Sequence, residues 1–280
     1  MLTPSQIVPT ALSMGSVFCW GTSDFLGGYA SRKANAFLLT TVAHATGLMF
    51  MLVLASGTGA QFPSRASILW AIAGGMSGGG ALALFYRTLG TGKMGLKAPV
   101  AAVVGATIPT IFGMATQGIP GAIHIAGFMV AAIGIWLISR AEDGGGTEGV
   151  WMAALCGMGF AGFYMCISQA TDGSALWLAV FSRTGALPVT GAIVLIQRRF
   201  HEISAAGIRF GLIAGCLDVG GTALFVRASQ TGRLDSAVVL TSLYPAVTVL
   251  LARLVLHEHF TRWKAVGMLA ALLAVPMIAG

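Results

Sequence analysis

Long apolar runs separated by short polar turns make up this chain from end to end. A helix that crosses a bilayer needs about 20 predominantly apolar residues. Ten such runs stand at roughly 9–30, 36–56, 67–88, 95–115, 121–139, 150–170, 175–196, 206–228, 234–255 and 263–279. Most of the turns between them are only a few residues long. The longest polar interruption, Arg140 to Gly149, reads Arg-Ala-Glu-Asp-Gly-Gly-Gly-Thr-Glu-Gly and is flexible by composition. It falls at the midpoint, so the pattern predicts a five-helix unit over 1–139, a linker over 140–149 and a second five-helix unit over 150–280.

The two units carry similar text. Leu84 to Gly92 matches Leu224 to Gly232 at five of nine positions, an offset of 140 residues, and Lys93 then stands opposite Arg233. Pro109 lies near the counterpart of Pro245, and Ala45-Thr46-Gly47 aligns with Arg183-Thr184-Gly185. Five is an odd number, so consecutive units enter the membrane in opposite senses. That is an inverted repeat, the arrangement that lets two halves rock about a site near the midplane.

Composition agrees with a membrane solvent. Hydrophobic residues make up 56% of the chain and charged residues 9%, whereas soluble domains carry roughly 25% charged residues. So few charges leave most of the outer surface to lipid. The 39 glycines suit helices whose backbones approach closely. The expected class is an all-α polytopic membrane protein in an inner (plasma) membrane, with an uncleaved first helix. The net charge of +7 sits in scattered pairs such as Arg32-Lys33, Arg198-Arg199 and Arg262 with Lys264. It reads as headgroup contact and orientation rather than a nucleic-acid face. The turns after the odd-numbered runs hold most of these cations, which by itself puts both termini outside the cytoplasm. Cys19, Cys156, Cys166 and Cys216 all lie in apolar runs without metal-ligand spacing, so free thiols are expected.

The ordered set of motifs resembles the EamA-type transporters of the drug/metabolite transporter superfamily. It comprises Cys19-Trp20-Gly21-Thr22-Ser23, Leu84-Phe85-Tyr86-Arg87, Phe181-Ser182-Arg183, Ser242-Leu243-Tyr244-Pro245, and Glu258 with Gly267. The resemblance implies two inverted bundles, with helices 1, 3, 4, 6, 8 and 9 around a central cavity and helices 5 and 10 peripheral. It implies no fixed substrate. The first unit departs from it in having Gln117-Gly118 where the second has Glu258, and relatives usually keep both termini cytoplasmic, against the charge bias here.

Charged residues inside apolar runs are costly and therefore informative. Asp24 shares a helical face with Ser16, Trp20, Ser23 and Gly27; it reads either as a cavity acid or as a helix-end group beside Arg32 and Lys33. Asp218, on one face with Thr222 and Phe225, reads as a coupling or recognition acid or as the ion-pair partner of Arg183 or Arg227; its repeat counterpart is Gly78. Arg183 suits a carboxylate or phosphate or serves as an anchor, and Lys97 either acts within the span or snorkels to the interface. Arg87 and Arg227 match across the units and read as scaffold, and His44 as a titratable group or a helix-packing donor. Trp20 and Tyr164 are candidates for the cavity wall, while Tyr86, Trp151 and Trp263 read as interfacial. Pro99, Pro109 and Pro245 sit inside runs and offer kinks. The Gly-rich segments lack the Gly-Lys-Ser/Thr ending of a phosphate loop, and no metal cluster or nucleophile elbow is present in the sequence.

These readings converge on a secondary active transporter, not an enzyme, moving a small polar or amphipathic metabolite such as an amino acid, more readily outward. Alternating access and proton coupling through Asp218 or Asp24 are expected. The substrate site is expected at Trp20, Ser23, Asp24, Tyr164, Arg183, Asp218, Thr222 and Tyr244, with no catalytic, cofactor or metal residues. Expected partners are the small-molecule substrate, the bilayer and protons as coupling ion, with no nucleic acid and the chain as monomer or homodimer. An uncoupled facilitator and a non-transporting membrane assembly subunit remain the alternatives.

Overall fold

The structure is a computed structural model that describes residues 4–91, 94–139, 149–198, 204–257 and 261–279. Lys93, the linker positions 140–148, Arg199 and Glu258, all named above, lie outside the described residues. The described chain is helical: α1 (Pro4–Ala30), α2 (Ala36–Gly57), α3 (Arg65–Gly90), α4 (Met94–Gln117), α5 (Ala122–Ser139), α6 (Val150–Gln169), α7 (Ala175–Gln197), α8 (Ala205–Thr231), α9 (Leu234–Thr241), α10 (Tyr244–Leu256) and α11 (Arg262–Ala279). Each of the ten apolar runs falls on one helix, except that the ninth is divided between α9 and α10. Among the described residues, seven stretches are long and apolar enough to cross a membrane: α2, α3, α4 from Lys97, α6, α7, α8 and Leu234–Leu256.

The division of the ninth run has a local cause. Pro245 lacks an N–H and sits in the first turn of α10, where that donor has no helical partner anyway. Ser242 and Leu243 turn between the two pieces, and the Ser242 hydroxyl bonds back to the Val238 carbonyl at 2.7 Å. α4 carries Pro99 and Pro109 inside one continuous helix.

Helix starts recur across the midpoint. α3 and α8 begin at 65 and 205, α4 and α9 at 94 and 234, and α5 and α11 at 122 and 262, each a difference of 140. α2 and α7 begin at 36 and 175, a difference of 139. Their N-caps recur as well: Ser64 and Ser204 accept from Ser67 and Gly207 amides, while Asn35 and Ser174 cap α2 and α7. These caps correct one sequence alignment. With α2 and α7 related by 139, Arg183 stands opposite His44 and not opposite Ala45.

Packing follows the same pairing. α1 lies against α8 as α6 lies against α3; α2 lies against α8 as α7 lies against α3; α2 meets α7, and α5 meets α11. Glycine permits the closest of these approaches. A Cβ on Gly75 would stand 1.8 Å from the Ser182 carbonyl oxygen, and one on Gly215 would stand 2.2 Å from that of Ala43. Outward faces are apolar: Val53, Leu254 and Leu273 are all more than 60% exposed, a surface suited to lipid.

Candidate functional site

Where α1, α3, α6, α7, α8 and α10 converge, the chain encloses a narrow space of ≈ 60 Å³. About 10–15 Å³ of such space holds one water, so it accommodates a few waters or one small chemical group. Trp20, Asp24, Tyr164, Arg183, Asp218, Thr222 and Tyr244 line it, together with Gly75, Gly78 and Gly79 of α3. The glycines matter because a Cβ on Gly78 would fall 3.0 Å from the Phe163 side chain, which forms part of the wall.

The floor is a fixed charge pair. Arg183 Nη1 lies 2.9 Å from Asp218 Oδ2, with both side chains at most 10% exposed. The same Nη1 lies 3.3 Å from His44 Nδ1. An arginine only donates, so His44 accepts on Nδ1 and carries its proton on Nε2. Arg183 Nη2 donates to the Thr222 hydroxyl, which donates onward to the Asp218 carbonyl at 3.0 Å. Trp20 Nε1 donates to that same carbonyl at 3.1 Å, and Ser16 donates to the Gly221 carbonyl at 2.9 Å. α1, α7 and α8 are thereby tied at one level.

The wall is aromatic. The Trp20 ring lies 6.1 Å from Tyr164 and 5.7 Å from Phe225, and Tyr164 meets Phe225 edge-on at 4.9 Å. One helical turn beyond Trp20 on α1 stands Asp24, 6% exposed. Among the described residues no hydrogen bond or ion pair reaches its carboxylate. The buried Tyr244 hydroxyl is likewise without a hydrogen-bond partner. The site thus holds one neutralised acid, Asp218, and one acid with no counterion, Asp24. A buried charge without a partner is strongly disfavoured, so Asp24 calls for a proton or a cation.

Comparison with known proteins bears on this arrangement. The model of the EamA-like transporter family matches residues 147–280. The second half of the chain belongs to that family. This match and the apolar helices together indicate a multi-pass membrane protein, and the match suggests a membrane transporter of the drug/metabolite kind. No curated protein matches. Among solved structures, a chain described only as "Crystal structure of protein" superposes with a TM-score of 0.77 at 13% identity, covering 99% of this chain and 98% of that one. At that identity the likeness concerns the fold, and it extends over both halves.

Seven of the eight residues expected at the substrate site line the cavity. Ser23 does not line it: its hydroxyl pairs with Tyr86 Oη at 2.8 Å and donates to the Ala214 carbonyl at 2.9 Å, which fixes α1 to α3 and α8. Tyr86, expected at the interface, is fully buried by that contact. Asp24 is not a helix-end group paired with Arg32 or Lys33, and Asp218 has Arg183, not Arg227, as its partner. Lys97 does not snorkel; its ammonium donates to the Thr88 carbonyl at 2.9 Å and to the Thr91 hydroxyl at 3.2 Å, closing the end of α3. Arg87 and Arg227 stay exposed at helix ends. All four cysteines are free. Sequence reading missed Phe163, whose signal was present: it precedes Tyr164 and lies one turn from Phe160, which also lines the cavity.

Proposed function

We propose that this protein is a secondary transporter of small amphipathic metabolites bearing an ammonium group, amino acids among them, and that it carries them outward. Ten helices in two inverted repeats, 1–139 and 150–280 joined through 140–149, alternate access to the cavity between them. The recurring helix starts and the paired packing support the repeat. The carrying observation is Asp24, a carboxylate without a counterion that lines the same cavity as Trp20 and Tyr164, beside an Arg183–Asp218 pair that satisfies itself.

On this reading Asp24 holds either a proton or the substrate's ammonium group, and the exchange couples the two. An ammonium placed there also meets the faces of Trp20 and Tyr164, a favourable cation–π setting. The Tyr244 hydroxyl is available to a polar substituent. The cavity is too small for a metabolite of amino-acid size, so loading requires the halves to rock apart.

The test is transport in proteoliposomes with an imposed pH gradient, across a panel of amino acids, polyamines and neutral sugars. Uptake of an ammonium-bearing substrate should follow the gradient in the native protein. Asp24→Asn should lose the gradient response while still folding. Equal initial rates with and without the gradient would favour an uncoupled facilitator, and saturable uptake confined to neutral sugars would sink the substrate class.

A further inference from the structure

One pole of the bundle carries a second, quite different pocket. The α1–α2 turn, the end of α3 and the end of α7 enclose it, with Arg32, Lys33, Asn35, Arg87, Thr91 and Gln197 along its lining. Its volume is ≈ 880 Å³, far larger than the central space. Arg32, Lys33 and Arg87 are exposed, and among the described lining residues there is no carboxylate. Asn35 Nδ2 donates to Gln197 Oε1 at 3.4 Å across the pocket, so its sides come from both halves of the chain.

The pocket lies at headgroup level. Gly149 at the start of α6 lies beside the Lys97 side chain, which in turn bonds to Thr88 at the end of α3; α6 therefore begins at this pole. α5 and α11 run antiparallel, with Gly134 against Gly267 and Gly127 against Ile278, so α5 ends and α11 begins here too. Trp136, Trp151 and Trp263 at these helix ends are 58%, 67% and 47% exposed. Tryptophans at one level mark a membrane–water interface. Arg198, Arg262 and Lys264 join the same pole.

We infer that this pocket binds the phosphodiester headgroup of an anionic phospholipid from the adjacent leaflet. Basic pockets between spanning helices receive such headgroups. Lys33 and Arg87 neutralise the phosphate, and the polar edge formed by Asn35, Thr91 and Gln197 meets the glycerol end. Because Gln197 comes from the second half, an occupied pocket bridges the two halves at this pole.

The experiment is thermal unfolding of the full purified chain in a neutral detergent during titration with phosphatidylglycerol. Phosphatidylcholine of the same acyl chains, glycerol phosphate and inorganic phosphate are the other arms. Phosphatidylglycerol alone should raise the midpoint saturably. Lys33→Gln with Arg87→Gln should weaken the apparent affinity about 25-fold, about five-fold for each cation removed. The control pair Arg262→Gln with Lys264→Gln should leave it within about two-fold, since neither residue lines the pocket. An equal response to inorganic phosphate would overturn the lipid as occupant. No response in the native chain, or equal losses in both variant pairs, would overturn the site. Midpoints without lipid identify any variant that is merely misfolded, and in that case Lys33→Gln alone is the decisive comparison.

Discussion

Replacing Gly75 with alanine tests the tightest helix contact in the bundle. The new Cβ would lie 1.8 Å from the Ser182 carbonyl oxygen, whereas ordinary carbon–oxygen contacts are at about 3.3 Å. α3 and α7 would therefore have to part by about 1.5 Å, and no side chain can move aside because the obstacle is backbone. Overpacking of this kind costs about 3 kcal/mol at the upper end of its usual range. Exchanging a helical glycine for alanine returns about 1 kcal/mol, which leaves a net loss of about 2 kcal/mol. For a chain of this size that is about 4–8 °C in midpoint. Gly191, also within α7, has nothing within 4 Å of its hypothetical Cβ. Gly191→Ala should keep the propensity gain alone and move the midpoint upward by about 2–4 °C. Both variants would be followed by tryptophan fluorescence in one detergent at one scan rate, since such unfolding is often irreversible. Opposite signs are expected. A Gly75→Ala midpoint at or above that of the native protein would refute the α3–α7 contact.

Asp218→Asn should destabilise by about 3–5 kcal/mol, because it leaves the buried Arg183 guanidinium without its counterion. Asp218→Leu combined with Arg183→Met should recover most of that loss, and the same unfolding assay reads both; equal losses in single and double variants would mean that the two residues do not act as a pair. At the opposite pole from the basic pocket, Asp172 accepts from the Ser64 amide at 2.9 Å. Hydrogen bonds from Ser67 and Ser64 hold its carboxyl below the ordinary carboxylate range. A depressed folded value adds stability above the unfolded value near 3.9, lost as pH falls through the folded value. The midpoint difference between the native chain and Asp172→Asn should therefore be constant from about pH 7 to 5 and shrink below about pH 4; a difference that does not change with pH would show that the ionised carboxylate does not hold the Ser64 amide at the start of α3.

The positions of the helices were legible because lipid imposes one rule on every segment: apolar length sufficient to cross, with backbone groups satisfied internally. Caps such as Asn35, Ser64, Ser174 and Ser204 then set the starts. What each polar side chain touches was less legible. Asp218 had two candidate arginines in the sequence, and only the seating of α7 against α8 selects Arg183. Ser23 and Asp24 are adjacent, yet one turns to Tyr86 and the other into the cavity; rotation of α1 by a fraction of a turn decides between them. Tyr86 resembles an interfacial tyrosine by position, and its burial depends on the Ser23 hydroxyl arriving from another helix. Lys97 could be read as snorkelling because its partner, the Thr88 carbonyl at the end of α3, lies on another helix.

The register of α2 against α7 also explains why the site is asymmetric. α2 packs directly on α7, and at one place the 139-residue offset brings two counterparts together. His44 and Arg183 are that pair, and they meet at 3.3 Å. Had both positions kept arginine, two guanidinium groups would stand at hydrogen-bond distance in a low-dielectric interior, where like charges repel strongly. A neutral imidazole with an acceptor nitrogen resolves the contact and leaves Arg183 free to hold Asp218. The same constraint acts on α3 and α8, where the counterpart of Asp218 is Gly78. A second acid there would compete for Arg183, and its side chain would collide with Phe163, 3.0 Å from where a Cβ on Gly78 would lie. Recurring helix pairs thus form the scaffold, while His44 and Gly78 stand where a second arginine and a second acid would disturb the Arg183–Asp218 pair. That leaves Asp24, on α1, as the acid that this pairing does not consume.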